Sequence, residues 1–180
     1  QENKISIPDA ERAEGLNRVL YKCPHCMAES KMVGKGITIT CEQCGKQYEL
    51  TEYGFLHTTD GDGKFEHVPD WYRWERECVR KEILDNTYEL KVPVDICMMV
   101  DMKKIDRVGE GMLEHNKEGF HLTGCDGKLD YRQKVTASYS LYADYYWYEI
   151  GDVIGIGDNK VSYYCFPKTE GDVVAKTRLA

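Results

Sequence analysis

Two cysteine pairs, Cys23-Pro24-His25-Cys26 and Cys41-Glu42-Gln43-Cys44, set out the pattern C-x2-C-x14-C-x2-C. No other feature constrains the fold so tightly. Each two-residue spacer lets the backbone curl until both thiolates of a pair face one point. The 14 residues between the pairs are enough for one short hairpin. Four soft ligands delivered in pairs are what a tetrahedral Zn²⁺ ion requires. An iron site of the same ligands shares that geometry, so ligand type does not separate the two metals. Four sulfurs close the coordination sphere and leave no position for water or substrate. The metal predicted at Cys23, Cys26, Cys41 and Cys44 is therefore structural. Two disulfides, or four unconnected thiols, are the competing reading of the same residues. His25 lies between two ligands and is expected to face solvent, because the cysteines already number four.

The pattern around the pairs reads as a zinc ribbon over 21–57. Lys31–Val33 and Ile37–Thr40 flank a Gly34-Lys35-Gly36 turn, which predicts a β-hairpin. Gln47–Thr51 and Tyr53–His57 read as strands broken near Gly54, giving a zinc-clamped three-stranded sheet. So small a sheet buries too little apolar area to fold alone, and the metal must supply much of its folding energy. Ahead of it, in the segment 1–20, residues 8–20 read as a short helix. Pro8 opens it, Asp9 and Glu11 lie in the first turn, Gly15 weakens it, and Leu16, Val19 and Leu20 form an apolar docking patch.

The segment 58–86 holds a turn and a connecting helix. Asp60-Gly61-Asp62-Gly63 has the look of a calcium loop but lacks the later ligands of one, so it reads as a turn. Over 69–85 Pro69 opens a helix that puts Trp71, Trp74 and Cys78 on one face. Two tryptophans a turn apart mark a docking face more readily than a ligand site.

From 87 to 180 the pattern turns to short strands: Glu89–Asp101, Gly111–His115, Phe120–Gly124, Lys128–Leu141, Tyr145–Ile150, Val153–Ile156 and Lys160–Phe166. Turns are expected at 116–119, at Asp126-Gly127 and at Asp158-Asn159, and Thr169–Ala180 reads as a closing helix. Leu113, Phe120 and Leu122 are placed on the buried face, with Glu114, His121 and Thr123 toward water. The fold class is thus α+β and mainly β: ribbon, connecting helix, then an antiparallel barrel or sandwich with a C-terminal helix. Its element order resembles pleckstrin-homology-like and GRAM-like domains.

Charge narrows the partners. The chain carries a net −7, and the ribbon's Lys22, Lys31, Lys35 and Lys46 stand against Glu29, Glu42 and Glu49. No basic face is offered to phosphates, which argues against nucleic acid. The longest apolar run, Ile96–Val100, is far short of a membrane span. Cys78, Cys97, Cys125 and Cys165 are scattered singly, as reduced thiols are, and favour a cytoplasmic compartment. The first residue is Gln rather than Met, so a chosen boundary or a processed end is expected there.

Other candidate chemistry is thin. Tyr139, Tyr142, Tyr145, Tyr146, Trp147 and Tyr148 crowd one segment; alternation would bury half and expose half, as amphipathic packing of a β-domain in the favoured reading or as a protein or lipid contact face in the other. Gly155-Ile156-Gly157 lacks the third glycine and the βαβ surroundings of a dinucleotide loop. His25, His57, His67, His115 and His121 fall in turns or strand ends, without a credible nucleophile–base set.

The run Tyr21-Lys-Cys-Pro-His-Cys-Met-Ala-Glu-Ser-Lys-Met, with Cys41-Glu-Gln-Cys-Gly-Lys, Tyr48-Glu-Leu-Thr-Glu-Tyr-Gly and Val68-Pro-Asp-Trp-Tyr-Arg-Trp-Glu-Arg, resembles the C-terminal extension of some Firmicutes 1-acylglycerol-3-phosphate acyltransferase-like proteins. The resemblance covers nearly the whole chain. That family's catalytic domain uses a His-x4-Asp motif, in which the carboxylate orients a general base. His57-x4-Asp62 and His121-x4-Asp126 have the spacing but lie in Gly- and Asp-rich turns, and Phe166-Pro-Lys-Thr-Glu-Gly171 only scrambles the family's phosphate-binding words. The resemblance therefore implies a catalytic domain upstream of Gln1. This chain would be its accessory or regulatory region in phospholipid synthesis, cytoplasmic and peripheral to the membrane through the full-length protein. Its partners would be that domain or another protein, with a lipid headgroup as a further contact. A free-standing zinc-ribbon adaptor for protein, or less favourably nucleic acid, is the alternative. A small enzyme using a β-domain pocket near His121 and Asp126 ranks last.

Overall fold

Short strands ordered around the cysteine pairs, and long strands after residue 88, divide the chain into two units, Gln1–Cys78 and Val79–Ala180. The computed structural model describes residues 5–137, 142–158, 160–169 and 173–180. The chain is mainly β, with two antiparallel sheets and two α-helices, as the sequence pattern predicts.

In the first unit β1 (Met32–Lys35), β2 (Thr38–Cys41), β3 (Gln47–Leu50) and β4 (Leu56–Thr58) pair in sequence order. The predicted three-stranded ribbon gains a strand because the chain turns back at Gly54 (φ 81°), so that β4 pairs with β3. The hairpin turn also moves. Lys35 pairs with Thr38, which leaves Gly36 (φ 59°) and Ile37 as the loop and puts Gly34 inside β1 opposite Ile39. Gly34 has another task. A Cβ there would lie 2.2 Å from the Ala13 carbonyl oxygen, because the N-terminal segment crosses the hairpin at that point.

That segment is not the α-helix predicted over 8–20. It is a series of turns ending in a three-residue 3-10 turn, Leu16–Arg18, entered through Gly15 in the left-handed region (φ 73°). A residue held there breaks the helical run, and the segment's polar groups go to the hairpin instead. The Ala13 N–H donates to the Gly36 carbonyl at 2.9 Å, and the Asn17 side chain accepts from the Gly34 N–H at 3.2 Å. Leu20 then joins the core with Met32, Ile39, Tyr48, Leu56 and Trp71, beside Cys23 and Cys41. Its apolar patch docks on the ribbon itself.

Helix α1 (Val68–Leu84) runs across the division between the units. Trp71 is fully buried and Trp74 partly so, packed against the ribbon core. The helix ends on Asn86 at φ 57°, with the Thr87 N–H reaching back to the Glu82 carbonyl at 2.8 Å. This left-handed cap satisfies an otherwise orphaned carbonyl.

The second unit is a seven-stranded antiparallel sheet: β5 (Glu89–Val100), β6 (Lys104–Asn116), β7 (Gly119–Gly124), β8 (Leu129–Lys134), β9 (Tyr142–Trp147), β10 (Gly151–Gly157) and β11 (Val161–Pro167). The order is β8-β7-β6-β5-β11-β10-β9, so the first and last strands pair at the centre. β5 alternates strictly, burying Leu90, Val92, Val94 and Ile96. Leu113 opposite Leu122, with Ile154, Ile156 and Cys165, extends the core, and α2 (Val173–Leu179) lies against β5, β9 and β10. The sheet curls without closing. β8 and β9 are both edges, yet Gln133 on β8 accepts the Gly157 N–H of β10 at 2.7 Å, and the Tyr131 and Tyr163 rings lie 5.1 Å apart. Gly111 and Gly124 face each other across β6 and β7, where a Cβ on either would strike backbone and the Ile96 side chain; the pair gives room for the bend. Tyr139, Asn159 and Glu170–Asp172 lie outside the described residues.

Gly34→Ala is expected to destabilise the first unit by about 1–3 kcal/mol, the usual cost of overpacking, because its clash is with backbone. Thermal melts, with limited proteolysis around residues 8–20, would check it. Unchanged stability and protection would mean that the docked segment contributes nothing.

Candidate metal centre

Two backbone loops of the same design present the thiols. In the first, the Met27 N–H donates to the Cys23 carbonyl at 2.9 Å and the Cys23 N–H to the Ala28 carbonyl at 2.9 Å. In the second, the Gly45 N–H donates to the Cys41 carbonyl at 2.8 Å and the Cys41 N–H to the Lys46 carbonyl at 2.9 Å. Each loop closes through a left-handed residue just after its second cysteine: Met27 at φ 65° and Gly45 at φ 75°. Glycine takes that conformation without cost, whereas methionine is strained there. Gly45 was legible as the relaxing position after the second pair. Its counterpart Met27 was not, since the side chain gives no sign of the backbone it needs.

The loops bring Cys23, Cys26, Cys41 and Cys44 together, with all four sulfurs within 4.8 Å of one another. Cys23 Sγ lies 3.7 Å from Cys44 Sγ, and Cys26 Sγ 3.7 Å from Cys41 Sγ. Metal–sulfur bonds of about 2.3 Å in a tetrahedron put sulfurs about 3.8 Å apart, so the cage fits a metal ion. A disulfide would need about 2.05 Å, and all eight cysteines are free. Burial pushes the Cys23 thiol up to about 12 and also raises Cys41. At Cys26 burial acts upward too, but the backbone N–H of Ala28 and the neighbouring thiols bring it below its ordinary value. A metal entering such a site displaces protons from the thiols. His25 is exposed, as expected of a turn residue outside the ligand set.

The surroundings are tied down by ion pairs. Lys22, beside the first ligand, pairs with Glu29 at 3.0 Å, and buried Lys46, beside the second loop, pairs with Asp60 at 2.6 Å. The hydrogen bonds from Lys46 hold the Asp60 carboxyl down at about 2. The Asp60–Gly63 turn thus serves to pin the second loop. Glu75 of α1 is fully buried and accepts the Lys22 N–H at 2.8 Å, while its Oε2 is buried without a hydrogen-bond partner. Burial pushes Glu75 up to about 8, so it is a neutral acid at pH 7. It was missed in the sequence, although it sits one turn from both Trp71 and Val79 on the buried stripe.

The other sequence candidates do not converge. His57 stacks on Phe55, with ring centroids 6.4 Å apart, and Asp62 lies in the exposed turn. His121 meets Asp130 at 2.9 Å and Glu114 at 3.5 Å across β6–β8, while Asp126 sits at φ 55° in the β7–β8 turn. His115, with Phe120 stacked at 4.0 Å, is buried and accepts or donates to Tyr88 Oη at 2.9 Å; burial lowers it to about 4. Gly155 lies in β10 under the Tyr142 ring. Of the aromatic cluster, Tyr142, Tyr146 and Tyr148 are exposed, while Tyr145 and Trp147 are half-buried. No helix among the described residues is long and apolar enough to cross a membrane. No protein-family model, curated protein or solved structure matches the chain.

Met27→Gly is expected to stabilise the loaded first unit and Gly45→Ala to destabilise it, each by about 1–2 kcal/mol, the cost of a left-handed non-glycine residue. A Cβ at Gly45 meets nothing within 4 Å, so its effect would be purely backbone. Thermal melts in the presence of zinc would report both; the opposite sign in either would reject the matched-loop geometry.

Glu75 also sets a pH dependence. Its carboxyl titrates near 4.5 when unfolded and at about 8 when folded, so the folded chain holds more protons between those values. Stability contributed by the protonated form is complete below pH 4.5 and is lost as pH rises toward 8 and beyond. The melting-temperature advantage of Glu75→Gln over the native chain should therefore grow from pH 6 to pH 9. A pH-independent difference would show that Glu75 titrates normally.

Proposed function

We propose that this chain is a non-catalytic, zinc-holding accessory region, and that it serves an acyltransferase of phospholipid synthesis whose catalytic domain precedes it in the full-length protein. The observation that carries the first half is the cage of four cysteine sulfurs, all within 4.8 Å of one another and two pairs at 3.7 Å, with every ligand supplied by the chain. An ion held that way has no open position at which to polarise a substrate or activate water. Zinc is favoured over iron because it suits four thiolates without needing a redox role. The second half rests on the resemblance of the cysteine-flanking and Trp-bearing segments to acyltransferase extensions.

In this reading Cys23, Cys26, Cys41 and Cys44 fix the ribbon, and the β-unit provides the contact surface. The exposed Tyr146, Tyr148 and Ile150 at the β9–β10 turn support a role in meeting the catalytic domain, another protein or a lipid headgroup. Lys22 and Lys46 are engaged with Glu29 and Asp60, which weighs against a phosphate-binding ribbon.

Metal analysis of the purified chain should give one zinc per chain, and Cys44→Ser should lower that occupancy and the melting temperature of the first unit together. A metal-free chain with the native melting profile would reject the structural-zinc reading. Acyl transfer to a lysophosphatidic acid by this chain alone would reject the non-catalytic one. The gene decides the context: a reading frame that runs upstream into a His-x4-Asp domain fits the acyltransferase, and a start codon just before Gln1 leaves the free-standing adaptor.

A further inference from the structure

Helix α1 grips the residue that leads into the first ligand from both sides. The Trp71 indole Nε1–H donates to the Lys22 carbonyl at 3.0 Å, and Glu75 accepts the Lys22 N–H at 2.8 Å. Spaced i, i+4, the two side chains share one helix face, and both are fully buried. The Trp71 ring also packs 4.7 Å from the ring of Tyr48 in β3, the strand that leaves the second cysteine loop. One helical turn therefore touches the segments attached to both cysteine pairs.

We propose that Trp71 and Glu75 are positioning residues of the metal centre, which make occupancy of the four thiols and docking of α1 a single event. Holding both polar groups of Lys22 fixes the peptide planes that enter Cys23, and so fixes where the Cys23 sulfur points. Partners that orient ligands in this way are typically worth about 10- to 100-fold in metal affinity. The coupling is reciprocal: whatever the clamp gives to metal binding, bound metal returns to the clamp. Most of a helix's stability in a protein comes from packing of its apolar face, and the N-terminal half of α1 draws its own from the contacts of Trp71 and Glu75. Loss of the metal frees Lys22, and α1 loses its anchor. This inference rests on the metal reading of the four cysteines.

Titration of the full chain with Co²⁺, which reports a four-sulfur tetrahedral site by its absorption bands, tests the idea together with far-UV circular dichroism. The native chain should gain the bands and helical signal over the same range of metal concentration. Trp71→Phe keeps the ring but removes the donor, and Glu75→Leu removes the acceptor; each should need about 10- to 100-fold more free metal to reach the same bands. Glu75→Gln keeps an acceptor toward the Lys22 N–H and should match the native affinity. A Glu75→Leu chain that forms no bands at any metal concentration, while Glu75→Gln does, also supports the clamp. Native affinity in Trp71→Phe or Glu75→Leu, or a Glu75→Gln as weak as Glu75→Leu, overturns it. Absence of the bands from the native chain would instead reject the metal centre on which the inference stands.

Discussion

Convergence of four sulfurs on one point is the constraint on which the first unit depends. Its strands are three or four residues long, too short to bury a self-sufficient core. Cys23 and Cys41 are themselves members of the buried cluster, with Leu20, Ile39, Tyr48 and Trp71 around them. The four-thiol cage and the apolar packing therefore occupy the same volume. Register follows from the same requirement. Cys41 ends β2 opposite Met32, and a slip of one residue would turn its sulfur to the other face of the hairpin.

The second unit is held by other means. A meander whose first and last strands pair makes the long strand β5 central, and its alternating Leu90, Val92, Val94 and Ile96 supply the floor of the core. Among the described residues, β8 and β9 each pair on one side only, and an open edge is a liability in any sheet. Curling answers it at one edge: Gln133 and Tyr131 of β8 reach β10 and β11 through side chains rather than through a backbone ladder. An open sheet stitched in this way needs space where it bends, which is why Gly111 and Gly124 stand opposite each other.

Features encoded locally were legible. The cysteine spacing is a ligand set written in sequence, Trp71 and Trp74 mark α1, and the alternation of β5 marks a half-buried strand. What escaped depends on partners far along the chain. The N-terminal segment has helical composition, yet its Ala13 and Asn17 find hydrogen bonds on the hairpin, which no helix of its own would offer. Gly34 looked like a turn residue because its role, close passage of Ala13, lies 21 positions away in sequence. The first half of β6, Lys104–Val108, carries charge and exposure on both faces and shows no strand period. His121 was matched by spacing to Asp126, whereas strand pairing sets Thr123 against Asp130 and brings Asp130 to it.

Electrostatics explains why a glutamic acid can sit in the middle of this arrangement. With a divalent cation bound, four thiolates would leave a net double negative charge in a buried cluster. Lys22 and Lys46 flank the two loops with buried ammonium groups, but each already answers a carboxylate of its own, Glu29 and Asp60. Burial makes an ionised Glu75 costly, and the Lys22 ammonium, already paired with Glu29, offsets only part of that cost. As a neutral acid it keeps an oxygen for the Lys22 N–H at little electrostatic cost, and its raised titration point follows from that burial. Glu75 is thus tolerated in the buried cluster because it is uncharged, with one oxygen kept for the Lys22 N–H that leads to Cys23.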